Sequence, residues 1–375
     1  MLVRGVACIC AELPVTPPAI GRHSKGAEQR TNHSRKGIRS IFRFLLVGAS
    51  FPATLSPMGS ASPLRIYYHR DFDGMVSAAI LGSVLIDLFG ERIQFASVNY
   101  DQRRNWATFG SGSRFAIVDF HFHPKAEYWF DHHPTTFLTP ELREQYKPSE
   151  RWHWDESSPS CPPIILANAK KHWNYKASDR FRNMAHWSDI VDSAGFVDVN
   201  QAIFGEEPAL RITRALTVAP SNEWMDGIVD MMTTTTLEAI ANTESVEAAH
   251  QRASNNRDRA LEQFPGTVVW KKDKVLLFDA SSGRVRRERF APFYHHPDLE
   301  YAVGVIPTRS GYHVSCGENP WNKPKHGLHV GELMETYGGG GHRAVGGANP
   351  PDLDETRRIS EEVADLLHAT VSQEQ

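Results

Sequence analysis

Residues 64–89 read LRIYYHRDFDGMVSAAILGSVLIDLF, and the change of pattern inside this stretch decides the fold class. Residues 64–68 form a short apolar run, His69-Arg70-Asp71-Phe72-Asp73-Gly74 is a polar turn, and residues 75–89 are apolar over the length of a helix. Strand, loop and helix in that order are the building unit of a parallel sheet, whose crossovers are helical. Residues 93–98, 115–118 and 127–130 predict three more strands, so the first half is predicted as α/β with a doubly wound parallel sheet.

Downstream, residues 134–163 are rich in Pro, Trp and charge and read as a loop or insertion; residues 167–191 return to helical composition. Helical character resumes over 222–263 and stops at Pro265-Gly266, which suits a connector between domains. A second β-rich part opens at 267–270 and 274–279, split by Lys271-Lys272-Asp273, with further strands at 301–306 and 311–316. A helix over 330–336 then runs into Gly338-Gly339-Gly340-Gly341-His342. The expected organisation is an extension at 1–57, a first domain over 58–221, a helical connector over 222–265, a second domain over 266–350, and a helix or tail over 351–375. Residues 1–57 hold eight Lys/Arg against Glu12 and Glu28 and no lasting period, so they read as a disordered tail or an upstream extension with true initiation near Met58, and a cleaved transit peptide is the alternative.

A chain of 375 residues exceeds one ordinary core. With a net charge of −3 there is no global basic field, so a polyanion would have to be held locally. Cys8, Cys10, Cys161 and Cys316 lack zinc-pair spacing and are too few for a disulfide framework, which fits a reducing, cytoplasmic setting. No uninterrupted apolar run of about 18 residues is present, so no membrane span is predicted.

Three of the predicted strands end in acids and imidazoles: His69, Asp71 and Asp73 after the first, Asp119 after the third, and Asp131-His132-His133 after the fourth. Ligands of open parallel sheets bind beyond the carboxyl ends of the strands, so these groups should converge. Converging carboxylates raise one another's pKa unless a cation neutralises them, and mixed Asp/His ligation without Cys suits Mn²⁺ or Mg²⁺. In an extended segment His69, Asp71 and Asp73 share one side. The bare backbone of the glycine run, followed by His342 and Arg343, could approach an oxyanion closely.

His69-x-Asp71-x-Asp73-Gly74, the strand-terminal Asp119 and Asp131-His132-His133 resemble, in order and spacing, the motif series of the DHH/DHHA1 phosphoesterase superfamily, and Gly338 to His342 resembles the glycine-rich segment of its second domain. Its members include exonuclease-like, oligoribonuclease-like and exopolyphosphatase-like enzymes. The resemblance implies a parallel-sheet DHH domain, a smaller mixed-sheet DHHA1 domain, and an active site in the cleft between them. It implies two Mn²⁺ ions, with Mg²⁺ as the alternative: His69 and Asp71 on one, Asp73 and His132 on the other, Asp119 bridging, and a last ligand at Asp189, with Asp192 as the alternative. His133, His342 and Arg343 would act on the phosphate, and Gly339, Gly340, Gly341 and His342 would bind it as the second domain closes. The implied function is hydrolysis of a phosphoester or phosphoanhydride in a nucleotide, oligonucleotide or polyphosphate; a catalytically silent nucleotide sensor on the same fold is the rival. The expected partner is a phosphorylated small molecule or a short single-stranded nucleic acid, with no membrane, and a homodimer is compatible.

Two departures stand out. His121 and His123 follow Asp119 where many members have a small residue, and Ser315-Cys316-Gly317 lacks an Arg that some members use for phosphate. His121 and His123 read as packing groups, Tyr294-His295-His296-Pro297 as a coincidental echo of 131–134, and the run from Arg284 to Arg289 as a solvated face.

Overall fold

The computed structural model describes residues 62–218, 221–283, 287–308 and 311–372, so the reading of residues 1–57 lies outside the described residues. The first part runs β1 (Leu64–His69), α1 (Phe72–Phe89), β2 (Ile93–Val98), β3 (Phe115–Val118), β4 (Tyr128–Asp131), α2 (Pro140–Gln145) and β5 (Trp152–Trp154). Seven helices follow: α3 (Cys161–Trp173), α4 (Asp179–Asp192), α5 (Val199–Phe204), α6 (Pro208–Leu216), α7 (Asn222–Thr234), α8 (Leu237–Ala241) and α9 (Glu244–Gln263). The second part holds β6 (Val268–Lys272), β7 (Val275–Asp279), α10 (Ala291–His295), β8 (Tyr301–Thr308), β9 (Gly311–Glu318), α11 (Val330–Glu335), β10 (Gly340–His342), β11 (Val345–Ala348) and α12 (Leu353–Ser372).

β1 to β5 form a parallel sheet in the order β2-β1-β3-β4-β5. The chain leaves β1 in both directions across the sheet, so the crevice for a ligand opens at the carboxyl ends of β1 and β3. Both faces are covered, which is why these strands read as continuous apolar runs. Ala116 and Val118 join Leu64, Ile66 and α1 in one core, while Phe115 and Ile117 pack with Trp106 and Trp129 in another.

α1 begins where it does because the Asp71 carboxylate accepts from the Gly74 amide at 2.9 Å, an N-cap made by a residue of the polar turn. Any side chain at Gly74 would bring its Cβ within 2.3 Å of the His69 carbonyl, so only glycine lets the helix start this close to the strand end. α1 is long and apolar enough to cross a membrane, but 78% of it is buried: it is the core helix under the sheet.

Two readings change. The loop or insertion at 134–163 contains α2, the edge strand β5 and the first turn of α3; three residues of strand are too short to show a period. The stretch 222–263 is three helices, and Met225, Ile228, Val229 and Met232 of α7 belong to the core that α1 organises. α7 thus packs within the first part and does not merely link it onward.

The second part is a mixed six-stranded sheet in the order β10-β11-β9-β8-β7-β6, with only β7 and β8 parallel. Val363, Ala364 and Leu367 of α12 cover one of its faces. On the other, Leu276, Ala302, Phe290, Phe293 and Leu299 share a cluster with Phe196, Ile203 and Phe204 of the first part. Trp321 Nε1 also donates to the Phe196 carbonyl at 3.0 Å. The two parts thus share an apolar core.

Candidate metal centre

Asp119 follows the last residue of β3 with φ +54°, the left-handed conformation that Asp tolerates better than most residues. Its amide donates to the Phe130 carbonyl at 2.9 Å, and its side chain is buried in the crevice. Strained backbone of this kind persists where surrounding structure over-determines it, commonly at functional sites.

Around Asp119 the predicted groups come together in three sets whose ligand atoms lie within 4.8 Å of one another: His69, Asp71 and Asp119; Asp73, His132 and Asp192; and Asp119, Asp131, His132 and His133. His69 Nδ1 is 2.6 Å from Asp71 and 3.8 Å from Asp119. His132 Nε2 is 3.5 Å from Asp73, 3.5 Å from Asp119 and 3.4 Å from Asp192. Neighbours aim these side chains. Asp73 accepts from the Cys161 amide at 3.0 Å and from Ser188 Oγ at 2.7 Å; His132 Nδ1 faces the Ser158 carbonyl at 3.2 Å; His133 Nδ1 is 2.8 Å from Asp131. Such outer partners fix the orientation of metal ligands.

Of the two candidate acids, Asp192 is the one that lies in the cluster. The Asp189 carboxylate accepts from Ser160 Oγ at 2.6 Å, whereas Asp192 lies one turn beyond the buried Ser188, on the face of α4 turned to the cluster. The structure thus brings the alternative of the sequence reading, Asp192, into the cluster and leaves the favoured Asp189 outside it.

The electrostatics are those of crowded acids. Burial, and then the charge of Asp192, push Asp73 up to about 7; burial, and then Asp73 and Asp71, hold Asp119 well above the ordinary carboxyl range; burial raises Asp192 as well. Burial works against Asp71 and Asp131 too, but the imidazoles of His69 and His133 hold these two below that range. Both Asp119 oxygens, Asp131 Oδ2 and His132 Nε2 are buried without a hydrogen-bond partner. Buried polar atoms are otherwise almost always satisfied. Unpartnered carboxylate oxygens beside an unpartnered imidazole nitrogen fit a hard or borderline divalent cation.

A stability prediction follows from the signs. Asp73, Asp119 and Asp192 bind protons more tightly in the folded chain than in the unfolded chain, where carboxyls titrate near 4. As pH rises from about 4 through about 7, the unfolded state sheds those protons first and the metal-free protein loses stability. With chelator, Tm should fall by several degrees between pH 5 and pH 8, at about 2–4 °C per kcal/mol, and excess Mn²⁺ should cancel most of the fall. A chelated protein with a flat Tm over that range would mean that the acids do not repel as described.

His342 reaches the centre from the second part: its ring centroid is 6.5 Å from that of His133. Partial enclosure, and then the nearby His133 and His132, hold its pKa below the usual histidine range. Arg343 instead donates to the Gly327 carbonyl at 3.2 Å, so the structure turns its guanidinium to its own domain. Gly340 and Gly341 pair with Gly347 and Gly346 in a hairpin, and a Cβ on Gly339 or Gly341 would meet backbone of β11 at 2.1 or 2.3 Å. Close strand packing is by itself a structural reason for glycine at 339 and 341.

His123 uses both ring nitrogens within the protein, on the Trp106 carbonyl at 3.0 Å and the Lys125 amide at 3.1 Å, while His121 Nδ1 faces the Thr136 carbonyl at 3.2 Å. His295 faces the Leu261 carbonyl at 2.9 Å and stacks on Phe264, a packing role.

No protein-family model and no curated protein sequence matches the chain. Among solved structures it is similar to the pGpG-specific phosphodiesterase PggH from Vibrio cholerae, with TM-score 0.59 and 19% identity over 82% of this chain and 99% of that one. A DHH domain from a member of a family of ribosomal proteins superposes with TM-score 0.54 and 12% identity over 80% and 86% of the two chains. An exopolyphosphatase-related protein from Bacteroides fragilis does so with TM-score 0.50 and 11% identity over 83% and 94%. At these identities the likeness is one of fold, and it runs through both sheets: the chain carries the fold of the DHH family, a DHH domain followed by a DHHA1 domain.

Proposed function

We propose that this chain is a divalent-metal-dependent phosphoesterase that hydrolyses a phosphoester or phosphoanhydride bond of a nucleotide, oligonucleotide or polyphosphate. The observation that carries the reading is the buried group of Asp119 oxygens and His132 Nε2 without hydrogen-bond partners, set among Asp71, Asp73, Asp192 and His69. His69 and Asp71 would hold one ion, Asp73, His132 and Asp192 a second, with Asp119 between the two sets. Mn²⁺ suits the imidazoles better than Mg²⁺. Two such ions, when bound, supply water activation near neutral pH and neutralise charge on a phosphate.

The remaining chemistry belongs to the chain. Asp131 holds His133 through Nδ1, which fixes that ring beside the cluster. His342 stands across from it on β10, so the phosphate would lie between imidazoles of the two domains. PggH is named for a phosphodiester, which supports the reaction class here without specifying a substrate.

Two measurements test the reading. The protein loaded with Mn²⁺ should release p-nitrophenol from bis(p-nitrophenyl) phosphate or the monoester, and chelation should stop it; a fully loaded protein inert on diester, monoester and polyphosphate would refute the proposal. His342→Ala should lower kcat/KM by about 10²–10³, the usual cost of one donor to developing charge, while Mn²⁺ stoichiometry stays as in the wild type. Loss of metal in that variant would move His342 into the ligand set.

A further inference from the structure

The edges of the two sheets are protected unequally. β5 and β10 are edges of three residues each, and the edge strand β6 carries Lys271 and Lys272. Short length and charged side chains are how exposed edges avoid pairing with other chains. β2, the remaining edge, is six residues long, and its sequence IQFASV holds no charge.

Two hydrogen bonds fix the direction of its backbone groups. The Leu64 amide donates to the Arg92 carbonyl at 2.8 Å, so Gln94 and Ala96, in phase with Arg92, turn their amides and carbonyls to β1. Ser97 is out of phase and gives its amide to the Asp226 carboxylate of α7. Ile93 and Phe95 are in phase with Ser97, so their amides and carbonyls point away from β1, to the side where no strand stands.

A cavity of about 370 Å³ opens there, lined by residues 93–96 together with Arg65, Asp226 and Asp230. Its charge is one-sided. Arg65 is tied to Gln94 Oε1 at 3.1 Å, and Asp226 accepts from the Tyr68 hydroxyl at 2.6 Å as well as from Ser97. Asp230, one turn on and exposed, has no partner for its carboxylate among the described residues. Four residues along a helix advance about 6 Å and two residues along a strand about 6.6 Å. Basic side chains at every second position of an added strand would therefore keep step with Asp226 and Asp230. A second copy of this chain fits worse: α7 shares the core of α1 on one side of the sheet, and a two-fold pairing of β2 with β2 would set the acids of α7 against their own copies.

We infer that the β2 edge docks an extended segment of a partner protein that carries Lys or Arg at alternate positions and adds to the sheet as a sixth strand. Main-chain bonds to Ile93 and Phe95 would hold the segment, and the acids of α7 would select its charge. The site is separate from the metal centre, which lies beyond the carboxyl ends of β1, β3 and β4, whereas residues 93–96 form the amino-terminal part of β2.

The test uses the full chain and a fluorescent peptide, TKVRVKT, blocked at both ends. It should bind saturably, one peptide per chain. In two further peptides one or the other alternating set of amides is N-methylated; methylation of the set facing β2 should abolish binding, and methylation of the other should leave it nearly unchanged. Asp230→Lys, an exposed change, should weaken TKVRVKT by about tenfold and strengthen the acidic peptide TEVEVET. Equal binding of the two methylated peptides would overturn the inference, since charge alone would then attract them. A preference for the basic peptide undiminished in Asp230→Lys, or no saturable binding to the wild type, would overturn it as well. So would a dimer of this chain that excludes the peptide, because a second copy would then close the edge.

Discussion

Asp119→Asn is expected to abolish hydrolysis and to lower Mn²⁺ occupancy while leaving the chain folded. The carboxylate belongs to two of the ligand sets at once, and a neutral amide cannot serve two cations. The loss in kcat/KM should exceed the 10²–10³ typical of removing one stabilising donor. The fold should survive because Asn accepts the left-handed backbone at φ +54° nearly as well as Asp does. The metal-free variant should even be the more stable protein at pH 8. Burial, Asp73 and Asp71 all disfavour the charge of Asp119, and the substitution removes the group that must carry that charge or hold a proton against it. At about 2–4 °C per kcal/mol, Tm in chelator should rise by a few degrees. Wild-type turnover in Asp119→Asn, or a collapse of its Tm, would remove Asp119 from the role of shared ligand.

The second large effect separates two acids on one helix. Asp192→Asn should lower turnover by roughly 10² or more and weaken Mn²⁺ binding, because it takes a charged ligand from the set with Asp73 and His132. Asp189→Asn should stay within a few-fold of the wild type, since Asp189 meets Ser160 and does not reach the cluster. Titration with Mn²⁺, followed by kcat/KM on a chromogenic diester, gives both quantities. The reverse ranking would mean that α4 presents a different face from the one described.

These two acids also show what was legible in advance. The buried residues of α4 are Phe181, Met184, Ala185 and Ser188, which fall on one helical face, and four residues beyond Ser188 on that face stands Asp192. That period is present in the sequence and points to Asp192. Nothing comparable announced β5, whose three residues pair through backbone with β4 amid aromatic packing.

The sequence by itself determined which elements exist in the first sheet and which residues stand at its strand ends. Apolar runs punctuated by polar turns are local, and His69, Asp71, Asp119, Asp131 and His132 are placed by their position along the chain once the strands are known. It also marked Gly74 as the tight entry to α1, because that constraint lies within five residues of His69. Only the tertiary structure decided that Arg343 turns away while His342 faces His133, that the glycine run is a hairpin packed against β11, and that α7 belongs to the first core. The physical reason is common to all three. Each depends on contacts between segments far apart in the chain, where burial and backbone pairing across the molecule outweigh any local preference.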